Sequence, residues 1–226
     1  MAMNKAENGV SGNLQALFQE GLQAHLSGRL ADAEATYRRV LGLDADYADA
    51  NHLLGVIARQ GGNNETAVEL ISKAIRKNPG KAGYHNNLGN ALKDLGRLDD
   101  AVESYRAALA VDPDFASAHS NLGVALKELG RLEDAAANFR KAISLQPDLA
   151  SAHVNLGNVL KDQGHMDDAV ASYRKAIALN PDGAKAHGNL GRALQRMGRL
   201  QDAVDCHDRA IALAPDDAEA HVDLGL

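Results

Sequence analysis

The sequence predicts an all-α fold, a solenoid of antiparallel helix pairs stacked one upon the next. Glycine recurs at Gly21, Gly55, Gly89, Gly123, Gly157, Gly191 and Gly225, each thirty-four residues from the last, and its neighbours recur with it. A period of this length marks a small supersecondary unit that cannot bury its own apolar face and must stack on copies of itself. Within each period the apolar residues follow helical three-four spacing, and Gly or Pro punctuates each change of direction.

Residues 1–13 are polar, contain glycine and lie outside the repeat register, which predicts a flexible N-terminal tail. Six units follow, at 14–47, 48–81, 82–115, 116–149, 150–183 and 184–217, and residues 218–226 start a seventh that stops inside its first helix. In the unit at 82, Leu88, Ala91, Leu92 and Leu95 form one face of helix A, and Gly96 supplies a left-handed stop. Asp99 and Asp100 then stand where a helix N-terminus favours negative charge, and Ala101, Val102, Tyr105, Ala108 and Leu109 form the stripe of helix B. Asp112-Pro113-Asp114 ends it, because proline lacks the amide and disfavours helix in the residue before it. The same grammar returns with Gly130, Ala135, Phe139 and Pro147, with Gly164, Ala169, Tyr173 and Pro181, and with Gly198, Ala203, His207 and Pro215. The first unit lacks the closing proline, and the second puts Ile71 at the aromatic place. Small residues at a crossing let two helix axes approach, so a larger residue at Gly123 should overpack the contact.

Composition narrows the function classes. The net charge of -6 is mild and Lys and Arg are dispersed, so the field that favours nucleic acid is missing. No run of eighteen apolar residues predicts membrane insertion. The single cysteine, Cys206, has no internal disulfide partner, and no basic start leads into an apolar run of signal-peptide length, which points to the cytoplasm. Phosphate-cradling loops, zinc spacings and nucleophile elbows are missing too, and Cys206-His207-Asp208 is no catalytic constellation, so no catalytic residue, metal or cofactor is expected. His85, His119, His153, His187 and His221 form an in-register ladder. Neighbouring helices stand ~8–10 Å apart, whereas zinc needs imidazole nitrogens at ~2.0–2.1 Å, so these are expected to be packing histidines that hold a hydrogen bond.

His85, Leu88, Gly89, Leu92, Ala101, Tyr105 and Pro113 occupy the seven signature places of the tetratricopeptide repeat, which this chain resembles, with histidine and leucine where that signature has tryptophan and tyrosine. The resemblance implies a right-handed superhelix whose A helices line a concave face. Two residues before the marker glycine on that face stand Gln19, Leu53, Asn87, Asn121, Asn155, Asn189 and Asp223. One residue after it come Asn90, Asn158 and Arg192, and further on Lys93, Lys127 and Lys161.

An amide offers both donor and acceptor, which suits these asparagines to the backbone of a protein or peptide in extended conformation. A few such bonds at ~0.5–1.5 kcal/mol each give affinity near the micromolar level, about -8 kcal/mol. The bland alternative is that duplication alone repeats the asparagines. The two-carboxylate clamp of chaperone-binding relatives requires a lysine where this chain has Asn86, Ser120, Val154 and Gly188. The repeats are also similar to the arm of O-linked N-acetylglucosamine transferases and SPINDLY-type proteins, which implies a substrate-recruiting role for Asn87, Asn121, Asn155 and Asn189. A third expectation is a homo-oligomer formed through the uncapped C-terminal end.

Overall fold

The computed structural model describes residues 2–215, with side chains from residue 13 onward. Regular structure among the described residues is helical: α1 (Ala2–Leu26), α2 (Leu30–Leu43), α3 (Ala48–Gln60), α4 (Asn64–Lys77), α5 (Ala82–Asp94), α6 (Leu98–Val111), α7 (Ala116–Glu128), α8 (Leu132–Leu145), α9 (Ala150–Asp162), α10 (Met166–Leu179), α11 (Ala184–Arg196) and α12 (Leu200–Leu213). Odd-numbered helices are the A helices and even-numbered ones the B helices. Residues 2–13, where the sequence predicts a flexible tail, fall within α1. The expected open end at 218–226 lies outside the described residues.

The chain forms two compact units, Met1–Pro113 and Asp114–Leu226, dividing within the Asp112-Pro113-Asp114 turn. In the first, α1 packs on α2, α3 on α4 and α5 on α6, while α2 meets α3 and α4 meets α5. In the second, α7 packs on α8, α9 on α10 and α11 on α12, while α8 meets α9 and α10 meets α11. The A helices also reach one another, α3 touching α5, α7 touching α9 and α9 touching α11. That contact gathers their outward positions onto one face within each unit.

Glycine and an aromatic ring set the A–B crossing. A Cβ added to Gly89 would stand 2.5 Å from Tyr105 Cε1, one on Gly157 2.5 Å from Tyr173 Cε1, and one on Gly123 2.8 Å from Phe139 Cε1. Tyr105, Phe139 and Tyr173 are each fully buried, and covering a ring of this size contributes about 1.5–3 kcal/mol. Ile71 takes the aromatic place against Gly55, and His207 takes it against Gly191. At the A-helix ends, Gly96, Gly130 and Gly164 hold φ of 74°, 74° and 83°, the left-handed conformation that stops the helix.

The in-register histidines have a structural task. Nε2–H of His85, His153 and His187 donates to the carbonyl of Pro79, Pro147 and Pro181 at 2.8, 3.2 and 2.9 Å. In the second repeat Asn51 fills that place, and its Nδ2 donates to Ala45 O at 3.1 Å. Each bond satisfies a carbonyl of the turn leaving a B helix, which water would otherwise have to serve. His119 Nδ1–H donates to Asn138 Oδ1 at 3.0 Å. Three B helices open differently from the usual cap: Arg97, Arg131 and Arg199 occupy the N-cap without a side-chain cap bond. Each instead pairs with the acid three residues on, Asp100 at 2.6 Å, Asp134 at 2.5 Å and Asp202 at 2.5 Å. The acid thus serves both the helix dipole and the guanidinium.

Candidate functional site

The A-helix face of the first unit carries Asn87, Asn90 and Lys93 on α5. Asn87 Nδ2 donates to His52 Nε2 on α3 at 2.9 Å, and the His52 ring stacks on Tyr84 with centroids 4.4 Å apart. Tyr84 donates its hydroxyl to Asp49. Burial depresses the His52 imidazole to about 4, further lowered by His25 and opposed by Asp49, so the ring is neutral and its Nε2 accepts. Asn90 Oδ1 accepts from Tyr105 Oη at 2.8 Å. Lys93 lies 3.1 Å from Asp94, which also takes Arg59 Nε at 2.7 Å. Burial alone would raise the Asp94 carboxyl, but bonds from Lys93 and Arg59 outweigh it and hold the group low.

The second unit presents Asn121 and Lys127 on α7, Asn155, Asn158 and Lys161 on α9, and Asn189 and Arg192 on α11. Asn158 Oδ1 accepts from Tyr173 Oη at 2.8 Å and from Asn189 Nδ2 at 3.0 Å. Arg192 donates in turn to Asn189 Oδ1. Asn189 is only 8% exposed, so this member of the ladder belongs to the stack. Arg192 explains the burial, because its guanidinium lies over an amide that would otherwise face outward. Asn121 and Asn155 are half-buried. Asn155 borders a cavity of about 380 Å³ lined largely by apolar atoms, among them Ser151, Val154, Ala176, Gly183 and Ala184.

The lysines are paired cations. Lys127 and Lys161 both approach Asp162, at 3.7 and 3.9 Å. Burial lowers the Lys161 ammonium from its ordinary value; Asp162 opposes the shift, while Arg192, Arg196 and Lys127 reinforce it. Among the described residues no group of three His, Cys, Asp or Glu is placed to hold a metal ion. Cys206 is a half-buried thiol pushed up by burial, with Asp202 and Asp205 adding to the effect and Arg174 opposing it. No described helix is long and apolar enough to cross a membrane.

Sequence reasoning missed His52, Tyr84, Asp49, Arg59 and Arg196. One signal was available for Tyr84, which stands where other repeats carry Ala50, Ala118, Ala152 and Ala186. Another was available for Arg196, which reverses the charge of Asp94, Glu128 and Asp162 at the same register position.

A family model described as TPR repeat matches residues 89–130, 125–164 and 157–198. Models described as tetratricopeptide repeat match 27–82 and 184–217. Among curated proteins the chain is similar to cellulose synthase operon protein C of Komagataeibacter xylinus, 36% identical over 66 residues, or 29% of this chain and 5% of that protein. The chain therefore spans about a twentieth of that relative's length. Among solved structures it resembles Pseudomonas aeruginosa PilF at TM-score 0.83 and 20% identity, covering 96% of this chain and 99% of that one. It also resembles YrrB, a TPR protein with an unusual peptide-binding site, at TM-score 0.67 and 19% identity, covering 84% and 98%. At these identities the two structures speak to the fold alone, a helical repeat array.

Proposed function

Because the chain belongs to the tetratricopeptide repeat family, we propose that it is a scaffold whose A-helix face holds an extended segment of another protein. The observation that carries this reading is the locked orientation of two amides. Tyr105 and Tyr173 donate to Oδ1 of Asn90 and Asn158, which turns each Nδ2 away from the ring as a donor already aimed. Donors fixed before binding save the ordering cost that a free amide would incur. Asn155 adds an amide beside the cavity in the second unit, for which the described residues supply no partner. Lys127 and Lys161, held near Asp162, frame that face with charge.

The test is a random-peptide display selection on the full 226-residue chain and on an Asn155→Ala variant, with melting temperatures measured on both. Peptides enriched by the wild type and lost by the variant, at equal melting temperature, support the groove. Enrichment that survives the substitution, or none at all, overturns it. A second reading makes this array the substrate-recruiting arm of a larger enzyme resembling O-linked N-acetylglucosamine transferases. It rests on the same in-register amides, and the presence or lack of a glycosyltransferase domain in the complete gene product decides it.

A further inference from the structure

Four repeats separate two versions of one junction. Where α2 turns into α3, Leu14, Phe18, Val40 and Tyr47 pack together in the core of the first unit. The Tyr47 ring lies against Phe18 with centroids 5.2 Å apart, and its hydroxyl donates to Gln15 Oε1 at 2.7 Å. Where α10 turns into α11, the same register places hold Ala150, Val154, Ala176 and Gly183, with Ser151 at the place of Gln15. Each is smaller than its counterpart, and all of them line the cavity of about 380 Å³. The cavity is therefore the seat of a ring that this junction does not itself supply.

The backbone does not require glycine at Gly183. Its φ of -77° and ψ of 86° match the -75° and 83° of Leu149 at the same place one repeat earlier. Its N–H donates to Asn180 O at 3.1 Å, as Tyr47 N–H does to Asp44 O at 3.1 Å. A Cβ added to Gly183 stands 3.2 Å from the Asn180 oxygen, a tight contact that the equivalent turns accommodate at Tyr47 and Leu149. What the glycine does is leave the space open. Ser151 and Asn180 are exposed and keep the cavity reachable from solvent. An apolar cavity of ~150 Å³ already admits a benzene ring.

We propose that this cavity takes a Phe or Tyr side chain of the extended segment held on the A-helix face, so that a partner supplies against α9 the ring that Tyr47 supplies against α1. The proposal rests on the scaffold reading and names the anchor of its ligand. Asn155 lines the same cavity, which puts an amide suited to the segment's backbone beside the anchor. Residues 216–226 contain no Phe, Tyr or Trp, so the ring comes from outside them.

The experiment is fluorescence anisotropy on the full chain with three labelled ten-residue peptides of Gly and Ser around one central Phe, Leu or Ala. The Phe peptide should bind about tenfold more tightly than the Ala peptide and about threefold more tightly than the Leu peptide. In Gly183→Tyr the chain fills its own cavity, so the urea midpoint should rise and the Phe preference should vanish. A second measurement needs no variant: p-cresol, the tyrosine side chain alone, should saturably shift the Val154 and Ala176 methyl signals in NMR spectra of the wild type. Equal binding of the Phe peptide and either other peptide overturns the aromatic anchor, as does cresol that leaves those methyls unmoved. A Phe preference that survives in Gly183→Tyr with a raised midpoint overturns the assignment to this cavity, and a lowered midpoint overturns the likeness to the Tyr47 junction. Self-association of the wild type that Gly183→Tyr abolishes makes a second copy the occupant and overturns the partner ring. In each of these cases, Asn155-dependent peptides from display selection leave the scaffold reading standing, and their absence takes it down as well.

Discussion

Two glycines of α11, three residues apart, should respond in opposite ways to the same added methyl. Glycine inside a helix costs about 0.5–1 kcal/mol relative to alanine, and that gain is common to Gly188→Ala and Gly191→Ala. At Gly188 the new Cβ meets only Ala210 Cβ, at 4.0 Å, an ordinary contact. At Gly191 it would stand 2.6, 2.8 and 2.9 Å from three atoms of the His207 ring. His207 is 2% exposed and has no open space to retreat into, so relief requires the helices to part. Overpacking of this kind costs about 1–3 kcal/mol, and because the helix term cancels, the difference between the two variants reports it alone. Gly188→Ala should raise stability by about 0.5–1 kcal/mol. Urea unfolding followed by circular dichroism resolves the pair: at a slope of ~2 kcal/mol/M the midpoints should differ by about 0.5–1.5 M. Equal midpoints, or a higher one for Gly191→Ala, would refute the reading that the marker glycine seats the B-helix ring.

Acid titration offers a second check. The unfolded chain protonates His52 near its ordinary 6.5, while burial holds the folded ring down at about 4. The unfolded state therefore binds more protons between those values; the contribution is complete above about pH 6.5 and falls as pH drops towards 4, by about 2–3 kcal/mol at most. Urea midpoints between pH 7 and pH 4 should fall less steeply in His52→Gln, and identical slopes would remove the buried neutral imidazole from the account. A third check separates two asparagines of one ladder. Asn189→Ala strips the partner of Asn158 and Arg192 and should cost about 1–3 kcal/mol, whereas Asn155→Ala should stay within about 0.5 kcal/mol by calorimetry.

Those two asparagines also mark how far the sequence could be read. Helix limits were legible because glycine and proline act locally: Gly96 turns the chain at a φ of 74°, and Pro113 denies an amide to any continuing helix. The Gly89–Tyr105 crossing was legible as well, since both partners sit inside one repeat. Features that join repeats were not. Asn155 and Asn189 hold the same register place, yet Asn189 is enclosed because the next residue of its face is Arg192 where α9 has Asn158. Lys93 and Lys127 read as free cations, whereas Asp94 and Asp162 neutralise them, with Arg59 and Lys127 each reaching an acid thirty-five residues on. Such pairings depend on how far one helix is offset along its neighbour, which a period counted in residues does not record.

The turn bonds from Asn51, His85, His153 and His187 bear on how such an array can grow. Each donor lies six residues from its acceptor, so the joint between successive helix pairs is encoded in one short stretch of chain. A duplication or deletion with breakpoints inside a B helix moves donor and acceptor together, and every junction it creates is already sealed. A breakpoint between proline and histidine separates them and leaves a carbonyl to be served by whatever side chain the new neighbour supplies. The interchangeable piece of this protein therefore starts within helix B, out of phase with the helix pair the eye picks out, and length can change by whole periods without new turn chemistry.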